Sequence, residues 1–226
     1  MRVKIYQINS DRDEKREKFL GMDARERLNL PQAIDPTIYD EVFSAEIDES
    51  DPEDIFRRFN TEGHPLHRGH SLSVSDVVVN DNGAFFCDSI GFKQIEFDEA
   101  QTQKPGNLMR IVYVEPGRPA YEAEIPHTLE AEQKAVGGLI ECVYNKDDTA
   151  LVCNDEGKLR GMEGNRRLNN GKTIIAGPFF VCGLTEDDFR GLTEQEAQTY
   201  LERFAQPEDI SQDEVEADMG FTFISM

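Results

Sequence analysis

The polar stretch Glu99-Ala100-Gln101-Thr102-Gln103-Lys104-Pro105-Gly106-Asn107 ends its hydrophilic run in Pro-Gly and separates two regions of apolar periodicity, a pattern that marks a linker. It predicts two small domains, 1–98 and 108–205, joined by 99–107 and followed by an acidic tail at 206–226. With 38% apolar residues in 226, each half has enough material for its own core. The alternation within each half predicts an α+β class, two mainly antiparallel sheets with short packed helices.

In the first half, Val3-Lys4-Ile5-Tyr6-Gln7-Ile8 predicts an opening strand, and the charged stretch Asp11 to Lys18 a solvated helix or loop. Asp35-Pro36 and Asp51-Pro52 each predict a helix start, with Asp capping free N–H groups and Pro at the first helical position. The alternating run from Ser71 to Val79 predicts a strand, and Asn80-Asp81-Asn82-Gly83 a tight turn into Ala84 to Asp88. A last strand is expected from Lys93 to Phe97.

The second half predicts strands at 109–114, 120–125, 139–144 and 149–154. A helix from about Thr128 to Val136 should close at Gly137-Gly138. A polar loop is expected from Gly161 to Gly171, then one long apolar strand, Thr173 to Cys182. Thr193 and Glu196 form a capping box for a helix that buries Ala197, Tyr200, Leu201 and Phe204. Beyond Pro207 the chain reads as loose and acidic until Phe221-Thr222-Phe223-Ile224, a terminal strand or docking segment.

The formal charge is −21 and sits unevenly. Residues 35–62 carry ten carboxylates against Arg57 and Arg58, and residues 185–218 carry twelve against Arg190 and Arg203. Such surfaces repel phosphate and anionic lipid, so direct nucleic-acid or membrane binding is not expected, and partners with basic surfaces are favoured. No long apolar run and no secretory pattern occurs, which predicts a cytoplasmic protein. Cys87, Cys142, Cys153 and Cys182 lack metal or disulfide spacing and read as buried free thiols.

Phe59-Asn60, the string Gly69-His70-Ser71-Leu72-Ser73-Val74-Ser75-Asp76-Val77-Val78 and Asp88-Ser89-Ile90-Gly91-Phe92 resemble the YodL-like domain, and the opening Tyr6-Gln7-Ile8 and the stretch from Ile34-Asp35 to Tyr39-Asp40 fit the same pattern, over about residues 1–98. The second half is similar to a family of unknown function over about 108–205. That likeness is carried by Val114-Glu115-Pro116-Gly117, Gly137-Gly138-Leu139-Ile140-Glu141, Cys153-Asn154-Asp155-Glu156-Gly157-Lys158, Asn165-Arg166-Arg167-Leu168 and Gly177-Pro178-Phe179-Phe180. Here Glu163-Gly164 stands before Asn165-Arg166 where that family commonly has Pro-Pro. The resemblance implies a protein carried by mobile genetic elements, conjugative elements and phages, alongside antirestriction modules. It implies no catalytic residue set and no cofactor.

Three constellations hold chemistry-bearing side chains. His64, His67 and His70 suggest a metal, but their spacing around Pro65 gives no common helical face and no Cys lies near, so no metal site is expected. His70, Ser71, Ser73, Ser75 and Asp76 contain the residue types of a nucleophilic triad. On a strand, however, the serines would share one face while His70 and Asp76 share the other. Asn165, Arg166 and Arg167 form a candidate anion-binding loop, or else pair with the protein's own acidic helix. The candidate partner-binding surface comprises Asp48, Glu49, Asp51, Glu53, Asp54, Glu186, Asp187, Asp188, Asp213, Glu214, Glu216 and Asp218, carboxylates that either imitate DNA phosphates on a partner's groove or serve only as solubilising charge. The expected function is that of a non-enzymatic accessory protein binding a basic or nucleic-acid-binding host protein, of antirestriction or anti-CRISPR type. A nucleotide- or anion-binding module or enzyme using the Asn165-Arg166-Arg167 loop and a structural docking module are the alternatives.

Overall fold

The computed structural model describes residues 1–104, 106–145, 147–169 and 171–219. The chain divides into two compact units, Met1–Gly106 and Asn107–Met226. No helix among the described residues is long and apolar enough to cross a membrane.

The first unit runs β1 (Arg2–Ile8), α1 (Met22–Arg27), β2 (Tyr39–Glu46), α2 (Pro52–Thr61), β3 (Val77–Asn80), β4 (Gly83–Cys87) and β5 (Phe92–Ile95). Its antiparallel sheet has the order β2-β1-β3-β4-β5. Alternation divides the strands between two faces. Tyr6, Ile8, Tyr39, Val77 and Phe86 pack with Met22 and Ile34 in one cluster, and Phe43 meets Phe59 of α2 edge-on at 4.8 Å. α2 starts as its sequence predicts, since the Asp51 carboxylate accepts from Glu53 N and Pro52 opens the helix. The turn Asn80–Gly83 joins β3 to β4 with Gly83 at φ 128°.

Three expectations here are corrected. Asp35 does cap Thr37 N, but only a single 3-10 turn, Pro36–Ile38, follows before the chain becomes β2. Tyr39 and Phe43 lie four apart, which suits a helix. In the sheet Tyr39 and Glu41 pair with Ile8 and Tyr6, while beyond a bulge Phe43 and Ala45 pair with Ile5 and Val3, and this pairing with β1 decides between the readings. The run 71–76 is not strand either: Ser75 has φ 79° and the ladder begins only at Val77. The expected linker also starts late. Gln103 N donates to Tyr39 O and Gln103 O accepts from Glu41 N, both at 3.0 Å, so this part of the polar stretch lies along the edge of β2.

The second unit comprises β6 (Leu108–Val114), β7 (Tyr121–Pro126), α3 (Leu129–Val136), β8 (Ile140–Tyr144), β9 (Thr149–Asn154), β10 (Gly164–Leu168), β11 (Thr173–Ala176), β12 (Phe179–Leu184), β13 (Phe189–Arg190), α4 (Glu194–Arg203) and α5 (Gln212–Asp218). The larger sheet has the order β7-β6-β12-β9-β8, with β13 also on β12, while β10 and β11 form a separate hairpin. Val112, Val114, Leu151, Phe179 and Val181 make a core that Tyr200 and Phe204 of the α4 segment close. α4 carries the capping box of Thr193 and Glu196, and α3 ends on Gly137 in the left-handed region, φ 76°.

Three expectations fail in this unit. Much of the polar loop 161–171 is β10, whose Gly164, Asn165, Arg166 and Leu168 are all buried. The apolar run 173–182 is two strands, broken at Gly177, φ 83°, and Pro178. Part of the supposed tail 206–226 is α5, started by a capping box of Ser211 and Glu214, with Ile210 and Val215 buried on Ile174 and Ala176. The Phe221–Ile224 segment lies outside the described residues.

Candidate functional site

The YodL-like string folds around one buried carboxylate. Asp76 is 1% exposed, and its Oδ2 accepts from Gln7 Nε2 at 2.9 Å and from Ser73 N at 2.8 Å. Gln7, on β1, also holds the backbone of His70 at both ends: its Oε1 accepts from His70 N at 3.0 Å and its Nε2 donates to His70 O at 2.8 Å. A Cβ on Gly69 would lie 2.1 Å from Gln7 Oε1, so only glycine admits this clasp. Burial pushes the Asp76 carboxyl up to about 7, against the opposing bonds from Ser73 and Gln7. The His70 ring is half exposed, stands 3.9 Å from Asp76 Oδ2 and lies against the Phe19 ring at 5.6 Å.

The hydroxyls around this pair are engaged with backbone. Ser75 Oγ accepts from Phe19 N at 2.9 Å, and Ser75 O accepts from Tyr39 OH at 2.8 Å. Ser73 Oγ donates to Ser71 O at 3.1 Å. His70 and Asp76 do come together, but strand alternation is not the reason: the segment is a loop, and Gln7 pins it. The string ties β1, the Phe19 segment and the start of β3 to one another. Gln7 belongs to the Tyr6-Gln7-Ile8 stretch that shares the YodL-like pattern, but nothing local announces its role: it is one polar residue inside a strand, 63 positions from His70.

The three histidines separate. His64 and His67 are 5% and 6% exposed and stand edge-on to Phe43 and Phe59 at 4.9 and 5.0 Å. Among the described residues no group of three or more His, Cys, Asp or Glu is placed to hold a metal. Cys87, Cys153 and Cys182 are buried free thiols, each pushed up to about 12 chiefly by burial, whereas Cys142 on β8 is only half buried. The stretch read as solvated, Asp11 to Lys18, places Glu17 in a buried ion pair with Arg25 of α1.

Arg166 and Arg167 alternate on β10 and so point to opposite sides. The Arg166 side chain is buried. Its Nη1 donates to Asn165 O at 3.0 Å and Asn165 Oδ1 at 2.9 Å, and its Nη2 to Arg118 O at 2.6 Å and Phe204 O at 3.1 Å. Asn165, fully buried, donates to Val114 O and Gly177 O. Arg167 forks between Glu208 at 2.9 Å and Glu214 at 2.6 Å. The bonds to Glu214 and then Glu208 raise its pKa. Both guanidiniums thus hold the second unit together, and Arg167 meets the acidic segment as one of the two sequence alternatives supposed.

The acidic candidates divide by what they touch. Asp51 caps α2, Glu49 pairs with Arg58 at 2.7 Å and Asp54 with Arg57 at 2.6 Å. Glu214 serves Arg167 and its own cap, Asp218 accepts from Lys158 and from Ile174 N, and Asp188 meets His127 at 3.3 Å. Glu53, Glu186, Asp187 and Asp213 are exposed, Glu216 is half buried, and none of these five has an ion-pair partner among the described residues. Asp48 is also exposed. The candidates from 48–54 belong to the first unit and those from 186–218 to the second.

Comparison with known proteins adds two domain assignments. Residues 2–97 match the family model of the YodL-like domain, and residues 109–205 match that of a domain of unknown function, DUF3846. No curated protein and no solved structure matches the chain.

Proposed function

We propose that this protein, a YodL-like domain followed by a DUF3846 domain, is a non-enzymatic binding protein that engages a basic, nucleic-acid-binding protein through its carboxylate surfaces. The observation that carries the reading is the state of the cations near those carboxylates. Arg57, Arg58 and Arg190 are paired with Asp54, Glu49 and Glu196, Arg203 lies over the Tyr200 and Phe204 rings, and Glu53, Glu186 and Asp187 have no ion-pair partner among the described residues of two strongly negative segments. Exposed carboxylates present charge to a DNA-binding groove in the form it is built to accept. The resemblance of both halves to families carried by mobile elements supports a host defence enzyme, a restriction or RNA-guided nuclease, as the target.

Displacement of labelled duplex DNA from such nucleases tests this. The expected result is displacement at low salt that fades as salt rises and weakens on neutralising Glu53→Gln in one variant and Glu186→Gln with Asp187→Asn in another. A protein that leaves every such nuclease bound to its DNA at low salt overturns the reading.

A further inference from the structure

Sheet edges expose unpaired main-chain groups, and folds ordinarily protect them with proline, lysine, bulges or a covering segment. Three edges here are protected or short. β2 has a bulge against β1 and is covered at Tyr39 and Glu41 by Gln103. β5 has four residues and carries Lys93, and β7 carries Glu122 and Glu124 and ends on Pro126. Among the described residues β8 has none of these devices. It closes its sheet, pairs with β9 in unbroken register over all five residues and carries a single charge, Glu141. The side chains around it are apolar and exposed: Leu139 is 57%, Tyr144 71% and Leu159 72% accessible.

We propose that the outer edge of β8 is a strand-addition site that takes an extended, basic segment of a partner protein. The inference rests on the partner-binding reading and adds a place and a sequence pattern to it. Charge selects this occupant over a second copy of the chain. Glu141 sits near the middle of the strand, and the exposed Asp147, Asp148, Asp155 and Glu156 flank it, so two copies of a chain of charge −21 would bring like charges together. A basic side chain facing Glu141 has the opposite effect. Glu141 and Val143 share one face of β8, and that face opens on a cleft of about 340 Å³ also lined by Leu159, Leu168, Ile174 and Ile175, by Asp155, and by Lys158, whose charge is met by Asp218. An added strand places its residues two apart on the same face. The partner pattern is therefore a Lys or Arg opposite Glu141 and an apolar residue two positions along, over Val143 and in the cleft.

The probe is the acetylated, amidated peptide Lys-Thr-Val-Thr-Lys-Thr-Val, compared with its Glu-for-Lys counterpart and with a form N-methylated at alternate residues. Fluorescence anisotropy reads affinity and amide hydrogen exchange on the full chain reads location. The expected result is slowed exchange along Ile140–Tyr144. N-methylation should weaken binding by at least roughly tenfold, as loss of one or two net main-chain hydrogen bonds implies, and Glu141→Lys should transfer the preference to the Glu peptide. Equal binding of the N-methylated form, no protection of Ile140–Tyr144 at saturating peptide, or a dimer of the chain protected at β8 overturns the site. Loss of the β8 site with DNA displacement intact leaves the partner-binding reading standing, and the converse result removes the nuclease target while keeping the site.

Discussion

Replacing Arg166 by Met separates a structural guanidinium from an anion-binding one. Met retains an apolar stem of similar reach, so the change removes mainly the four hydrogen bonds to Asn165 O, Asn165 Oδ1, Arg118 O and Phe204 O. Phe204 O keeps its bond from Ala120 N at 3.1 Å, which leaves Asn165 O, Asn165 Oδ1 and the part-buried Arg118 O as the acceptors that lose their guanidinium donor. An unsatisfied buried acceptor costs about 1–3 kcal/mol, and relief of the buried charge offsets part of the sum, giving a loss of about 2–4 kcal/mol. The chain has no Trp, so hydrogen exchange of β12 amides in rising urea is the direct readout for the second unit. With a urea slope of about 1–3 kcal/mol/M, the midpoint should fall by about 1–2 M. Arg166→Lys should lie between, because one ammonium cannot reach all four acceptors. A loss under about 0.5 kcal/mol, or stabilisation of the natural protein but not the variant by inorganic phosphate, would refute the reasoning and restore the anion site.

The Asp76 carboxyl, raised to about 7 by burial in the folded unit, keeps its proton where an unfolded Asp, near 3.9, has lost it. Its contribution is therefore fully present below about 4, declines as pH rises to about 7 and is flat above. Asp76→Asn should remove that part of the stability slope in urea melts across this range; an unchanged slope argues against a protonated Asp76. Val215→Ala, at a position fully buried beside Ile174 and Ile210, should cost the second unit about 1–3 kcal/mol. A neutral result would detach α5 from that unit. Gly177→Ala forces a side chain into the left-handed region, with its Cβ 2.5 Å from Met162 Sδ, and should lower stability by about 1–2 kcal/mol in the same melt.

What the sequence discloses is what neighbours in sequence decide. The Thr193 and Glu196 box, the Thr128 cap with Gly137 nine positions on, and the Asn80–Gly83 turn are legible because donor and acceptor lie within one turn of chain. Tyr39 to Ala45 was ambiguous because a four-residue spacing satisfies both periods until β1 supplies a ladder. β10 was hidden for a different reason. Its polar residues look solvent-directed, and only acceptors 48 and 38 positions away, at Arg118 and Phe204, make burial of Arg166 tolerable. Gln7 is the same case in the first unit, a residue without a local signal that organises the whole string around Asp76.

The acidity carries two separable roles. Asp35, Asp51, Glu196 and Glu214 sit at the starts of helical segments, where free N–H groups and the helix dipole favour a carboxylate whether or not any partner exists. Glu208, Glu214 and Asp218 bind cations of the β10 strand and of Lys158, and so belong to the packing of α5. Removing these charges would weaken binding by loosening the fold, and a loss of that kind says nothing about recognition. Glu53, in the first turn of α2, shares that dipole role, whereas Glu186 and Asp187 have none among the described residues, so their neutralisation should leave stability within about 0.5 kcal/mol. A binding defect in those variants is therefore a property of the surface itself, and the negative charge that folds the protein can be told apart from the charge it presents.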